Sequence, residues 1–291
     1  MGVLGGVGLL TLIRTTPIGN VAPMTSEAPP TPFELVVVGG GNMGAALIGG
    51  LLDADVLDPS SLAVVEVVES RRHELVSLFP TITVTSDVPA TRAALLAVKP
   101  ADVAVAASSV VAAGATRVLS IAAGVRLATI EAAVGPGVAV VRAMPNTPAL
   151  VRLGASAIAG GSAAGDDDVA WAESILSAVG TVERMSESDL DLFTGVAGSG
   201  PAYVFLVAEA LTEAAVAEGM SRPVAERVIR QLLLGSATLL DREGDPAQLR
   251  DRVTSPGGTT AAGLAVLADL DVRGAFAAAV RAATERSREL G

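Results

Sequence analysis

The sequence predicts an α/β protein, with an N-terminal, mostly parallel sheet carrying helices on both faces and an all-α C-terminal domain. Three observations carry this prediction. Short runs rich in Val, Ile, Leu and Ala alternate with helical stretches from Glu34 to Arg184. A glycine-rich turn joins the first of those runs to the first helix. After Met185 the strand signal stops and only helical patterning continues. Strand–helix alternation at this spacing means right-handed crossovers and parallel pairing. Apolar residues make up 51 % of the chain and aromatics only 2 %, which suits closely packed helices and strands buried on both faces.

The elements follow in order. Met1 to Ile13 is an apolar run too short to span a bilayer, followed by Arg14 and the Pro- and Ser-containing stretch Thr25–Pro32. A secretory signal has its positive charge before the apolar run, so the order here is reversed. Residues 1–32 are therefore expected to be a disordered leader, with Met24 as an alternative start. The dinucleotide-binding domain is expected over 33–186. Its first strand is Glu34–Val38, its first helix Asn42–Asp53 and its second strand Leu62–Val68. Helix Arg71–Leu78 and strands Thr81–Thr85 and Ala94–Val98 come next. They are followed by helix Ala101–Ala112, strand Arg117–Ala122, a short helix near Leu127–Ala133 and strand Val138–Arg142. Ala155–Ala159 and Thr181–Arg184 read as edge strands around helix Asp167–Val179, whose start carries Asp166, Asp167 and Asp168, as the helix dipole favours.

The helical domain, 187–291, opens at Ser188 and is interrupted by Gly198-Ser199-Gly200-Pro201, where Ser199 can cap a new helix with Pro201 in its first turn. From Ala202 to Ala217 only Glu209, Thr212 and Glu213 form a polar stripe. A helix apolar over most of its circumference is buried on several sides, and in so small a domain that surface is expected to meet a second subunit. Helices Val224–Asp241, Thr260–Leu270 and Arg273–Leu290 complete the chain, the last two separated at Asp271.

Composition narrows the function. A length of 291 residues allows one large or two ordinary domains with a sizeable core. The net charge of −11 argues against nucleic acid and anionic membrane surfaces as partners. No unbroken apolar run reaches about 18 residues, so no membrane span is expected. With no cysteine there is neither a disulfide framework nor thiolate chemistry, which is compatible with a cytoplasmic protein. Of 20 basic residues only Lys99 is a lysine, and His73 and Tyr203 are the single histidine and tyrosine. Side chains able to exchange a proton near neutral pH are thus few, and no metal site is expected.

Five stretches could carry chemistry. Gly39, Gly41 and Gly44 fit G-x-G-x-x-G between a strand and a helix, with Asn42 and Met43 inside the motif. The first glycine permits the turn, the second lets backbone approach a pyrophosphate, and the third lets helix and strand pack closely. Such a motif marks a Rossmann-type dinucleotide site. Ala97-Val98-Lys99-Pro100 and Arg142-Ala143-Met144-Pro145-Asn146-Thr147-Pro148 end strands on the same sheet edge. Ala197-Gly198-Ser199-Gly200-Pro201-Ala202-Tyr203 breaks an apolar helix where a kink or a close approach would need it. Val253-Thr254-Ser255-Pro256-Gly257-Gly258-Thr259-Thr260 sets hydroxyls and glycine N–H groups just before a helix, the makings of a small anion site.

In this order these stretches resemble the pyrroline-5-carboxylate reductases, from roughly Pro32 to Leu290. The resemblance implies a Rossmann domain and a helical domain that interlocks with a partner's, giving homodimers and possibly decamers. It implies hydride transfer from NAD(P)H to the C=N bond of 1-pyrroline-5-carboxylate, the last step of proline biosynthesis. It assigns Ser255, Gly257 and Gly258 to the substrate carboxylate and Thr260 to the ring nitrogen, with Val253 and Thr259 in the same pocket. Ser255 and Thr260 are the expected catalytic donors. Asn146, Val98, Lys99 and Pro100 would line the nicotinamide end. A cyclic imine becomes an electrophile on protonation, so placement and hydroxyl donors suffice where an alcohol dehydrogenase needs His or Lys. Glu66 falls where an acid can grip the ribose 2′-OH of NAD, whereas Ser70, Arg71 and Arg72 could hold the 2′-phosphate of NADP. NADPH is the preferred expectation and NADH the alternative. Another small Rossmann reductase of the β-hydroxyacid dehydrogenase type, or a non-catalytic nucleotide-responsive scaffold, is the competing reading.

Overall fold

A computed structural model describes residues 32–291. The expected leader lies outside the described residues except for Pro32.

Eight strands form one sheet: β1 (Leu35–Val38), β2 (Leu62–Val65), β3 (Thr83–Thr85), β4 (Ala93–Leu96), β5 (Arg117–Ser120), β6 (Ala139–Pro145), β7 (Gly154–Gly160) and β8 (Gly180–Arg184). Their order is β3-β2-β1-β4-β5-β6-β7-β8. All neighbours pair parallel except β6 and β7. The strand order reverses between β1 and β4, the switch point where an α/β sheet opens a crevice for a ligand.

Helices α1 (Asn42–Asp53), α2 (Glu69–Leu78), α3 (Val103–Ala112), α4 (Leu127–Val134) and α5 (Asp166–Ser177) cover both faces. Alternate residues of each strand feed the two layers, as the two-residue period of a strand dictates. Leu35 and Val37 pack with Leu47, Ile48, Leu51, Leu75 and Ile175, whereas Val36 and Val38 pack with Val103, Ala107, Val110 and Ile130.

Ala155–Ala159 is corrected from an edge strand to an interior one, because β7 lies between β6 and β8. Its antiparallel pairing follows from the connection: a 3-10 turn at Thr147–Val151 leaves no room for the crossover that parallel pairing needs. The second strand stops at Val65 rather than Val68, and Val67 and Val68 are exposed beyond it. The third begins at Thr83 rather than Thr81. The strand expected to end at Arg142 continues to Pro145, carrying the Met144–Pro148 loop farther out.

From Glu187 the chain is helical: α6 (Leu190–Phe193), α7 (Gly200–Ala217), α8 (Arg222–Glu243), α9 (Pro246–Arg252), α10 (Thr259–Asp269) and α11 (Val272–Leu290). Helix α9 goes beyond the elements expected from the sequence; Asp245 caps it through the N–H groups of Ala247 and Gln248, and Pro246 stands in its first turn. The expected break at Gly198–Pro201 is instead a π-helical turn over Thr194–Gly198 that joins α6 to α7, and Ser199 makes no side-chain cap. Wide turns of this kind accommodate close neighbours. A Cβ on Gly198 would stand 2.9 Å from Met144 Cε, and one on Gly195 2.9 Å from the Val280 carbonyl oxygen. By length and composition Glu187–Ala217 is apolar enough to cross a membrane, a property that no unbroken run in the sequence displays. Among the described residues α7 buries no side chain, and Val204, Phe205 and Leu206 are all exposed.

Candidate active site

The glycine turn is shaped by its surroundings as well as by its composition. Gly39 has φ +103°, and a Cβ there would stand 2.5 Å from the Ala97 carbonyl oxygen. Gly44 lies so close to the Gly39 carbonyl that a Cβ would collide with it. Gly41 is different: nothing lies within 4 Å of the position a Cβ would take. The N–H groups of Gly41, Asn42, Met43 and Gly44 make no hydrogen bond to the described residues. Four open donors at a helix N-terminus beside an open glycine fit a diphosphate.

The turn at Ala97-Val98-Lys99-Pro100 touches this motif directly, since Ala97 and Val98 pack on Gly39. Lys99 is exposed ahead of a 3-10 turn and forms no ion pair among the described residues. His73 is exposed on α2, as expected of a surface residue.

Beyond β2, the Glu66 carboxylate accepts from Gly40 N–H at 3.0 Å and from Val68 N–H at 2.9 Å. Arg71 Nε donates to the Gly40 carbonyl at 2.7 Å, and its Nη1 pairs with Glu74 at 2.6 Å. Arg72 Nη1 donates to the carbonyls of Glu66 and Val67, both at 2.9 Å. Ser70 is exposed at the first turn of α2. The structure thus brings Glu66, Ser70, Arg71 and Arg72 around one corner of the glycine turn.

Asn146 is nearly buried, and its amide is used inside the chain. Nδ2 donates to the Ala197 carbonyl at 3.1 Å and Oδ1 accepts from Ala155 N–H at 2.9 Å. It therefore ties the end of β6 to the π-turn and to β7. A mostly apolar cavity of about 330 Å³ opens beside it, lined by Pro148, Ala197, Gly200, Pro201, Val204 and Phe205.

The Val253–Thr260 stretch bridges α9 and α10. Thr254 Oγ1 donates to the Arg250 carbonyl at 2.6 Å, and Gly258 N–H donates to the Ser255 carbonyl at 3.0 Å. Gly257 adopts φ +71° with open space where a Cβ would go. Val253, Ser255, Gly257 and Thr259 are exposed and Thr260 half-buried. The N–H groups of Thr259, Thr260 and Ala261 and the hydroxyls of Ser255, Thr259 and Thr260 remain without described hydrogen bonds. No described hydrogen bond joins this stretch to the glycine turn, to 97–100 or to Asn146. Within one chain the structure brings the glycine turn and the 97–100 turn into contact, and no described hydrogen bond ties the anion-site motif to either.

Sequence reasoning missed the contacts that fasten the helical part to the sheet. Asp191, 2 % exposed, pairs with Arg126 at 3.0 Å and accepts from Ser287 Oγ at 2.7 Å. Glu187 accepts from Arg142 Nη1 at 2.9 Å and from Leu127 N–H at 2.6 Å. The acidic cluster opening the helical region was the available signal.

The fold and this edge define a two-part protein of the dinucleotide-binding α/β class. Residues 187–290 match the family model of the pyrroline-5-carboxylate reductase dimerisation domain, and residues 34–124 match that described as NADP oxidoreductase coenzyme F420-dependent. The pyrroline-5-carboxylate reductase of a Synechocystis strain is 42 % identical over 89 % of this chain and 98 % of its own length. That of Methanosarcina acetivorans is 40 % identical over 87 % of this chain and 96 % of its own. Among solved structures, a pyrroline-5-carboxylate reductase from Coxiella burnetii superposes with a TM-score of 0.83 at 34 % identity, covering 90 % of this chain and 99 % of that one. The Plasmodium falciparum enzyme with NADP bound gives 0.77 at 28 % identity, covering 89 % and 98 %. The chain belongs to the pyrroline-5-carboxylate reductase family.

Proposed function

We propose that this chain reduces 1-pyrroline-5-carboxylate to L-proline with NADPH, NADH being the alternative donor. Hydride adds to C5 of the protonated imine, and the ring nitrogen, already carrying its proton, becomes the amine of proline. The bound nicotinamide cofactor supplies the hydride; the protein's own residues bind and orient.

The observation that carries this reading is the exposed donor set at 255–260, which no other described part of the chain uses. Ser255 with the Gly257 amide would take the carboxylate, with Gly258, whose N–H is already donated to the Ser255 carbonyl, closing the turn that presents them, while Val253 and Thr259 shape the pocket. Thr260 would hydrogen-bond the ring nitrogen, favouring its charged form and setting its orientation. On the other side, the amides of Gly41, Asn42, Met43 and Gly44 face a diphosphate, and Val98, Lys99, Pro100 and Asn146 border the nicotinamide. Ser70, Arg71 and Arg72 stand near the expected 2′-position, which favours NADPH. The scaffold reading leaves the 255–260 donors without a purpose, and the β-hydroxyacid dehydrogenase reading wants its lysine on a helix, whereas Lys99 lies in a strand-end turn.

A homodimer is proposed as the working unit on the strength of the exposed α7 face and the family's dimerisation region, and decamers are compatible with it. The apolar Glu187–Ala217 stretch coincides with the start of the family's dimerisation region, so a second copy is its proposed partner rather than a membrane. A cytoplasmic location fits a chain without cysteine.

The test is oxidation of NADPH and of NADH by the purified full chain given pyrroline-5-carboxylate, with Thr260→Ala alongside. A lost hydrogen bond of about 1.4–3 kcal/mol lowers kcat/KM by about tenfold to a hundredfold in the variant. No turnover with either cofactor rejects the activity, and unchanged kinetics in the variant remove the role given to Thr260.

A further inference from the structure

Three consecutive glycines, Gly39 to Gly41, make up the turn that must aim its amides at a diphosphate. Glycine has the widest backbone freedom of any residue, so such a turn holds its shape only if something outside it does the holding. Gly40 is held at both of its backbone groups. Its N–H is bound by Glu66 Oε2 at 3.0 Å and its carbonyl by Arg71 Nε at 2.7 Å. The Leu75 side chain fills the place a Gly40 Cβ would need. Each clamp is anchored in turn, Glu66 by Val68 N–H at 2.9 Å and Arg71 by Glu74 at 2.6 Å.

The peptide plane turns these contacts into a functional statement. The Gly40 carbonyl and the Gly41 N–H belong to one planar trans unit and point in opposite directions. Fixing that carbonyl on Arg71 therefore fixes the direction of the Gly41 N–H, which is the first of the open donors, on a residue with open space where a Cβ would go. Both Glu66 oxygens accept from peptide N–H groups and two of the three Arg71 nitrogens are engaged, so both side chains are committed first to the turn.

We propose that Glu66 and Arg71 are positioning residues that hold Gly40 and thereby aim the Gly41 amide at the cofactor diphosphate, without discriminating NADPH from NADH. This rests on the nucleotide site proposed above and removes Arg71 from the set that reads the 2′-phosphate, leaving Ser70 and Arg72.

The experiment is titration of the full-length protein with NADPH and with NADH, followed by nucleotide fluorescence, for wild type, Glu66→Ala, Arg71→Ala and Arg71→Lys, with melting temperatures measured in parallel. Binding of neither cofactor by wild type overturns the nucleotide site itself, before any variant is read. Given wild-type binding, Glu66→Ala and Arg71→Ala should each weaken both cofactors by about tenfold and shift their ratio by less than about twofold, the effect of one lost charge-assisted hydrogen bond common to both. KM for the imine should stay at the wild-type value, and Arg71→Lys, which keeps a donor, should recover part of the loss. A tenfold change in the NADPH-to-NADH ratio in either alanine variant overturns the proposal, and so does unchanged binding of both. Should Glu66→Ala fail to fold, Arg71→Ala, which frees the Gly40 carbonyl, is read by the same two criteria on its own.

Discussion

Gly41 and Gly44 belong to one short motif, and the structure gives them opposite sensitivities. A Cβ on Gly44 runs into the Gly39 carbonyl, so Gly44→Ala must move backbone inside the core and should cost about 1–3 kcal/mol in a denaturation experiment. Gly41 has extended backbone, φ −63° and ψ −172°, with nothing within 4 Å of the place an alanine methyl would occupy. Gly41→Ala should leave the melting temperature unchanged or slightly raised, because the unfolded chain loses freedom. Its methyl would stand where a diphosphate must approach, so KM for NADPH should rise by about tenfold or more, the loss of roughly 1.4 kcal/mol or more of cofactor binding. An unaltered cofactor KM in Gly41→Ala would remove the diphosphate from this place, and a Gly44→Ala protein as stable as wild type would refute the packing argument.

At the scale of elements, the helical part is fastened to the sheet by charged side chains as well as by the burial of Leu190 in the sheet's core and the packing of Phe193 against it. Asp191 on α6 meets Arg126, which precedes α4, and Ser287 on α11, so one carboxylate ties three segments together. Removing one partner of a buried pair strands the other. Asp191→Ala should therefore lower the unfolding free energy by about 3 kcal/mol, and Ser287→Ala by about 1 kcal/mol, both read from urea midpoints. Equal, small effects from the two would show that the helical part is held by something else. These ties also mark the limit of what the sequence discloses. The strand and helix order along the chain and the five turn motifs are legible because alternating burial and glycine or proline punctuation are local signals. The interior place of β7, the π-turn at Thr194–Gly198 and the Asp191 contacts depend on residues far apart in sequence, and no local pattern encodes them. Asn146 illustrates the difference: its position at a strand end is readable, but its bonds to Ala197 and Ala155 require knowing which segments lie beside it.

For the whole molecule, the open question is what covers α7. Val204, Phe205 and Leu206 are 51 %, 66 % and 63 % exposed, and three consecutive residues point in three directions around a helix. A single flat neighbour cannot cover them all; a partner must wrap the helix, as two interlocked copies of the same helical part can. Leu206→Asp separates this from a helix that remains in water. In an isolated chain Leu206 is largely exposed already, so the substitution should be nearly neutral there. In an interlocked dimer it buries an unpaired charge, and dissociation relieves that cost. Light scattering should find wild type as a dimer or larger and Leu206→Asp shifted to folded monomer. The monomer should retain NADPH binding, because the glycine turn is built within one chain, and should lose pyrroline-5-carboxylate turnover where the partner's helical part completes the site. A monomer with wild-type turnover would show that one chain suffices, and an unshifted mass would show that α7 meets something other than a second copy.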